Sequence, residues 1–201
     1  MPELLEVIQT RRSIRRYKSQ SISKELILEL LNLCRYAANA HNAQPFRFVI
    51  ILNRQTKKTL IEALASQYEK DLRKDGLPEP NIKKIVNSSI DRFLNAPVLI
   101  LACLTMDDMD RYNDSERQNC EFIMGVQSVA NSIQNLLLLA HSKGLGACQF
   151  CVPLFCPETV KSVLNLPPSY MPQAFITLGV PDEVPPPIKR KPLEELVLFI
   201  E

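Results

Sequence analysis

The sequence predicts an α/β or α+β protein in which long helices pack on one mixed or antiparallel sheet. Three observations carry this. Segments with helical spacing alternate with short strand-like runs, and the helices outweigh the strands. Pro97–Leu104 is almost continuously apolar, the pattern of a strand buried on both faces. Cys120–Ser142 reads as the longest helix, apolar most of the way round and therefore covered on several sides. In a chain of 201 residues, a partner subunit as well as a sheet is expected to provide that cover.

The elements follow in order. Glu3–Thr10 reads as a short amphipathic helix with Leu4, Leu5 and Ile8 at helical spacing. Ser23 is placed to cap a helix over Lys24–Ala38, where Leu26, Leu30, Leu33 and Ala37 repeat with the helical period. Phe48–Leu52 is a strand, bounded by Pro45 and Asn53. Gln55–Asp75, ending near Gly76, and Glu79–Asn95 read as a mobile, polar helical hairpin around GLPEP. The long helix keeps Phe122, Val126, Val129, Ile133, Leu136 and Ala140 on one face. Ala147–Val152 and Ala174–Val180 are further strands, and Pro157–Leu164 is a short helix with an early proline. Val184–Pro187 is an extended linker, and Glu195–Phe199 is expected to add a last strand.

Composition narrows the function classes. Hydrophobic residues make up 46% and charged residues 23%, so the chain can bury a core and disorder is excluded. No uninterrupted apolar run approaches the ~20 residues of a membrane span. The segment MPELLEVIQTRRSIRRY has acids first and no long apolar stretch, so no secretory leader is expected. The six cysteines are then expected to be free thiols in a reducing cytoplasm, with Cys34 and Cys103 in the core. A net charge of +2, from 24 basic and 22 acidic residues, names neither nucleic acid nor membrane as a partner. The distribution says more: Arg11, Arg12, Arg15, Arg16 and Lys18 form one basic cluster, and Lys189, Arg190 and Lys191 a second.

Only five glycines exist, at 76, 125, 144, 146 and 179, and no glycine-rich phosphate loop is among them. A bound phosphate would have to be held by charged side chains. If RRSIR is extended, Arg11, Ser13 and Arg15 point to one side and Arg12, Ile14 and Arg16 to the other. The first set suits a phosphate with a polyol or a heterocycle edge; the alternative is a solvated basic loop. In AANAHNAQPFRF, Asn39, His41, Asn42 and Gln44 gather hydrogen-bonding groups before a strand, and Pro45 biases Gln44 toward an extended backbone. Clustered amides suit imide and carbonyl edges, because each both donates and accepts. The alternative is a helix-end turn leading into the strand.

The order RRSIR, a helix, AHNAQPFRF, a strand, APVLILACL, GVQSVANSIQNLLLLA, HSKGLGAC and ITLGVP resembles the nitroreductase family of FMN-dependent oxidoreductases over nearly the whole chain. Within it, AHNAQPFRF, the acidic stretch after MDD and GLGACQFCVPLFCPETVKSVLNLP look most like the flavin-binding C-terminal domain of the γ-glutamyl ligase of deazaflavin coenzyme maturation. These 201 residues are expected to leave no room for the ligase domain, so ligase activity is not implied. The resemblance implies one α+β domain over residues 1–201, with a mostly antiparallel sheet flanked by long helices. It also implies an intertwined homodimer with two FMN sites at the interface. By position, Arg11 would meet the FMN phosphate, assisted by Lys189 or Arg190. Arg12 and Ser13 would contact the ribityl and phosphate region, and Arg15 the pyrimidine edge. Asn39, Asn42 and Gln44 would come from the other subunit, while Gln149, Phe150 and Cys151 would line the opposite face. A reduced nicotinamide would give a hydride to FMN, and an acceptor such as a nitroaromatic, quinone or deazaflavin would take it. A cation near flavin N1, here Arg15, would favour the reduced form. No side chain need act as a nucleophile or metal ligand. A second function class is a non-catalytic flavin or deazaflavin carrier or sensor, or a protein of deazaflavin coenzyme maturation.

Other features carry less. Cys148 and Cys151, with Cys156 following, lie on an expected late strand and not at the helix N-terminus a dithiol redox motif uses, and no second pair completes a zinc site. His41 is a candidate site residue, but as a loop histidine with no evident partner it is expected to be neither acid nor ligand, and His141 is expected to be a capping or surface residue. The acidic stretch Asp107–Glu121 reads as a solvated loop leading to a helix N-terminus.

Overall fold

The computed structural model describes residues 3–200. Its elements run α1 (Leu4–Thr10), α2 (Lys24–Cys34), β1 (Phe46–Ile51), α3 (Arg54–Lys74), α4 (Glu79–Leu94), β2 (Val98–Leu104), α5 (Ser115–Ser142), β3 (Gly146–Phe150), α6 (Pro157–Leu164) and β4 (Met171–Gly179). Single 3-10 turns occupy Ala40–Asn42, Val152–Leu154 and Leu193–Glu195. The sheet order is β1-β2-β4-β3, with every neighbouring pair antiparallel. Among the described residues, the one parallel contact is a bridge between Ser13 and Ala147 at the β3 edge.

Strand β2 explains the layering. Side chains alternate across a strand, and here both sets are buried. Val98, Ile100, Ala102 and Leu104 face a core shared with Ile27 and Leu30 of α2 and with Val129, Ile133 and Leu136 of α5. Leu99, Leu101 and Cys103 face the other side, against Leu60, Ile61 and Leu64 of α3 and Val160 of α6. The result is helix, sheet, helix, an α+β arrangement with its central strands β2 and β4 covered on both faces. Burial pushes the Cys34 and Cys103 thiols up to about 12, so both behave as small apolar groups.

Several elements differ from the expectation, each for a physical reason. Helix α2 stops at Cys34, not Ala38, because α5 supplies competing partners. The Ser132 hydroxyl donates to the Cys34 carbonyl at 3.1 Å and the Asn131 amide to the Ala38 carbonyl at 2.9 Å. Its buried face is Ile27, Leu30 and Cys34, while Leu33 is exposed. Its start follows the sequence, with the Ser23 hydroxyl accepting from the Leu26 N–H. In α1 only Val7 is buried; Leu4, Leu5 and Ile8 point outward. Strand β1 starts at Phe46, two residues early. Helix α5 starts at Ser115, where Asp114 caps the Arg117 N–H at 2.8 Å. Phe122, expected on its buried face, is exposed. The α3–α4 hairpin is less polar than expected: Leu72, Ile82 and Val86 form a small core of its own. Gly76, at φ +77°, makes its turn.

Glu195–Phe199 is not a strand. A strand needs a ladder partner, and none reaches this segment among the described residues; Leu198 and Phe199 are 85% and 84% exposed. Finally, α5 is long and apolar enough to span a bilayer by length and composition, although no uninterrupted apolar run suggested one. Here it packs on the sheet, with Ser128, Ser132, Ile133, Leu136 and Ala140 among its buried residues.

Candidate functional site

The basic N-terminal segment lies along the free edge of β3. Ser13 bridges Ala147, and the Ile14 N–H donates to the Ala147 carbonyl at 3.1 Å. Two further anchors fix it. The buried Tyr17 hydroxyl donates to the Ile14 carbonyl and bonds the Thr177 hydroxyl on β4 at 2.7 Å. Burial raises that phenol well above its ordinary pKa, against the smaller opposing effect of Thr177. The Glu183 carboxylate accepts from the Arg15 and Arg16 backbone N–H groups and from the Arg16 guanidinium at 3.2 Å. Burial alone would raise the Glu183 pKa; these donors and the Arg16 charge more than offset it, and the pKa is lowered.

The anchoring gives the arginines two different fates. Arg12 folds back to donate to the Gln9 and Arg11 carbonyls at 2.8 Å, closing the end of α1. Arg16 is spent on Glu183, and Ile14 packs against Gly146. On the other side, Arg11, Ser13 and Arg15 act on the Cys148 thiol. Burial raises the thiol's pKa, while Arg15, the Ser13 hydroxyl, Arg92 and Arg11 pull it the other way. Arg92 in the last turn of α4 therefore joins the cluster. Its guanidinium also stands 5.8 Å from the centre of the Phe150 ring. Among the described residues, Arg11, Arg15 and Arg92 form no ion pair, although Arg16, Arg47, Arg73 and Arg117 do. An open groove of 1190 Å³ runs from Arg15 along α4, lined by Arg16, Arg54, Lys84 and Arg92 and by Asp91 and Asp182.

Beyond Cys148, Gln149 and Cys151 are exposed, 3.6 Å apart at Nε2 and Sγ. Phe150 turns inward onto Phe93, ring centres 4.8 Å apart. All six cysteines are free, and Cys148 sits on a strand. Lys189 and Arg190 lie exposed on the C-terminal coil, and the structure does not bring them to the arginine cluster.

The amide loop sits elsewhere. Asn39 spends its side chain on the loop itself, donating to the Ala37 carbonyl at 3.0 Å and accepting the Gln44 N–H at 2.8 Å. The Ala40 N–H donates to the Ser128 hydroxyl of α5 at 3.1 Å. This closure holds His41, Asn42 and Gln44 at φ of +54°, +54° and +48°. Gln44 is thus not extended, because the Asn39 bond overrides the bias from Pro45. Positive φ costs a non-glycine residue roughly 1–3 kcal/mol and persists only where the surroundings over-determine it. The side chains of Asn42 and Gln44 remain exposed.

His41 has partners after all. Its Nε2 lies 3.1 Å from Glu121 Oε1 and 3.9 Å from Asp110 Oδ2. Glu121 is not on a solvated loop but is 1% exposed on α5. His141 closes the other end of that helix, its Nε2 2.8 Å from the Thr10 hydroxyl. Burial lowers its pKa, with Arg11 and Arg12 adding to the effect.

The arginine cluster and the amide loop occupy opposite corners of the sheet. The cluster meets the β3 edge at Ala147, level with the start of β2, while the loop enters β1 at Phe46, opposite Leu104. They are separated by about 20 Å along the strands and about 14 Å across three strand spacings.

Sequence reasoning missed Arg92, Glu183 and Glu121. Nothing local marks Arg92 or Glu183. Glu121 was findable: with Gly125, Ser128 and Ser132 it forms a small and polar stripe at helical spacing.

The family model described as the nitroreductase family matches residues 8–180. A relative from Methanothermobacter thermautotrophicus, provisionally named NADH dehydrogenase/NAD(P)H nitroreductase, is 32% identical over 91% of this chain and 80% of its own. An NADH dehydrogenase of Thermus thermophilus is 29% identical over 94% and 92%. Among solved structures, a BluB-like flavoprotein from Clostridium difficile covers 100% of both chains at 25% identity and TM-score 0.81. A protein from Desulfovibrio desulfuricans crystallised in complex with FMN is 26% identical, with TM-score 0.74, over 100% of this chain and 98% of its own.

Proposed function

Because the chain belongs to the nitroreductase family, we propose that it is an FMN-dependent oxidoreductase. In this reading it passes a hydride from NAD(P)H to an acceptor such as a nitroaromatic, a quinone or a deazaflavin. The observation that carries the proposal is that Arg11, Arg15 and Arg92, three cations without a carboxylate partner among the described residues, all act on the Cys148 thiol at the β3 edge together with the Ser13 hydroxyl. Such a donor set fits a phosphorylated, electron-rich heterocycle: guanidinium forks match phosphate oxygens, and a cation stabilises charge on a reduced ring. FMN, when bound, supplies hydride acceptance and donation.

The chain's own residues then bind and orient. Arg11 and Ser13 hold the phosphate and ribityl end. Arg15 and Arg92 face the pyrimidine end and favour the reduced form. Arg12 acts through the α1 turn it closes. Gln149 and Cys151 border the ring, and Phe150 backs it from the core. Asn42 and Gln44 reach a second protomer's cofactor, and Asn39 holds their loop in shape. The corner-to-corner separation of the two sets supports a homodimer, as do the outward Leu4, Leu5 and Ile8 and the exposed Leu198, Phe199 and Ile200. The chain works as one domain, and its six free thiols favour a reducing compartment such as the cytoplasm.

The test is direct. Purified protein should be yellow, dimeric, and bleached near 450 nm by NADH or NADPH in the absence of air, with colour restored by a quinone. A yellow protein that neither nucleotide bleaches is a carrier, and a colourless monomer that ignores added FMN ends the proposal. Arg15→Ala should lower the flavin potential; an unchanged potential removes its electronic role.

A further inference from the structure

We propose that His41, Asp110 and Glu121 form a site for one divalent transition-metal ion that accepts both nitrogen and oxygen ligands, represented by Zn²⁺. Sequence reasoning expected no metal ligand, because the chain has two histidines and Glu121 looked solvated. The fold reverses the second point. Glu121 is 1% exposed, and while its Oε1 meets His41, its Oε2 is buried and has no hydrogen-bond partner. A buried carboxylate oxygen with nothing to accept is costly, and natural structures keep few of them.

The spacing fits an ion. One ligand atom from each of the three residues lies within 4.8 Å of the others. Bonds of about 2.0–2.2 Å to imidazole nitrogen and carboxylate oxygen place tetrahedral ligands roughly 3.3–3.6 Å apart. The observed 3.1 Å for His41–Glu121 and 3.9 Å for His41–Asp110 bracket that value. Asp110 is exposed, so its side chain is free to adjust toward the other two. One imidazole and two carboxylates disfavour Ca²⁺ and Mg²⁺, which take oxygen ligands, and suit Zn²⁺ or ions like it. Three protein ligands leave a position for water.

The three ligands come from separate segments: the turn before β1, the loop after β2, and α5. An ion here ties the loop that presents Asn42 and Gln44 to the longest helix. The site does not depend on the flavin assignment.

Equilibrium dialysis of the flavin-loaded protein against Zn²⁺ tests this. One Zn²⁺ per protomer is expected, retained when the exposed thiols are removed by Cys120→Ser and Cys151→Ser. His41→Ala and Asp110→Asn should each weaken binding at least ~10-fold. Asp110 is exposed, so loss in that variant does not come from an unfolded core. No stoichiometric Zn²⁺, or Zn²⁺ that survives both ligand substitutions and disappears with the thiols, overturns the site. Flavin colour, read in the same samples, reports separately on the oxidoreductase proposal.

Discussion

Replacing Gly146 by alanine tests whether the β3 edge sets the position of the arginines. Gly146 has no positive φ, so alanine is permitted by the backbone and only space opposes it. An added Cβ would stand 2.6 Å from Ile14 Cγ2, 2.7 Å from its Cβ and 2.9 Å from its Cγ1. Carbon atoms in contact prefer about 3.5–4.0 Å, so the two segments must part by roughly 1 Å. Ile14 cannot simply retreat. Its N–H is bonded to Ala147 and its carbonyl is held by Tyr17. Overpacking costs about 1–3 kcal/mol, and a stretched backbone hydrogen bond about 1 more. For a chain of this size that corresponds to a melting temperature lower by about 5–15 °C. Ser13 and Arg15 flank Ile14 and move with it. Loss of one charge-assisted bond weakens FMN binding by about 10–100-fold. Thermal unfolding of the apoprotein and fluorescence titration with FMN measure the two effects. Ile14→Ala in the Gly146→Ala background removes two of the three clashes and should recover part of each loss. A Gly146→Ala protein with unchanged melting temperature and unchanged FMN affinity would refute the reasoning.

Other expectations follow from the same contacts. Arg11→Ala and Arg92→Ala should each raise the FMN dissociation constant at least ~10-fold in titration, since each removes an unpaired cation from the cluster. Glu183→Gln should cost about 1.5–3 kcal/mol in urea unfolding at pH 7. The folded pKa of Glu183 is lowered, so its contribution is present above the unfolded value near ~4.3 and fades as pH falls through the folded value. The variant should therefore lose less stability than the parent between about pH 5 and pH 3; parallel curves would show that the carboxylate is not the anchor. Tyr17→Phe should cost about 1–2 kcal/mol by the same assay, because the Thr177 hydroxyl loses its strongest partner. Cys148→Ser with Cys151→Ser should leave steady-state NAD(P)H turnover largely intact, and its complete loss would revive a thiol mechanism.

Elements with strong local signals were legible. Proline at the first position and a strong helical period gave α6 its observed bounds, Pro157–Leu164. The apolar run after Pro97 gave β2, and GLPEP marked the turn between α3 and α4. What escaped depends on distant partners. Which face of α2 is buried is decided by α5, and where α2 stops is decided by Ser132 and Asn131. Glu195–Phe199 has strand-like composition, but composition does not supply a neighbouring strand. At the candidate site, the alternation of RRSIR follows from strand geometry alone, so the divergence of Arg11 and Arg15 from Arg16 could be anticipated. The contribution of Arg92 could not, since it reaches the cluster from a helix some eighty positions away. Nor could the backbone of Gln44, where one amide oxygen outweighs the local preference.

Helix α5 runs 28 residues, about 42 Å. At its midpoint Ser128 carries the amide loop; at its C-terminal end His141 meets Thr10, next to the first arginines. One inserted residue would rotate everything beyond it by about 100° and lengthen it by ~1.5 Å, throwing Ser128 and His141 out of phase with each other. Length changes in the surface turn at Gly76 should be absorbed locally. In α5 they should not be, which makes this helix the gauge that fixes the span between the two corners, and relatives should differ in length almost anywhere else first.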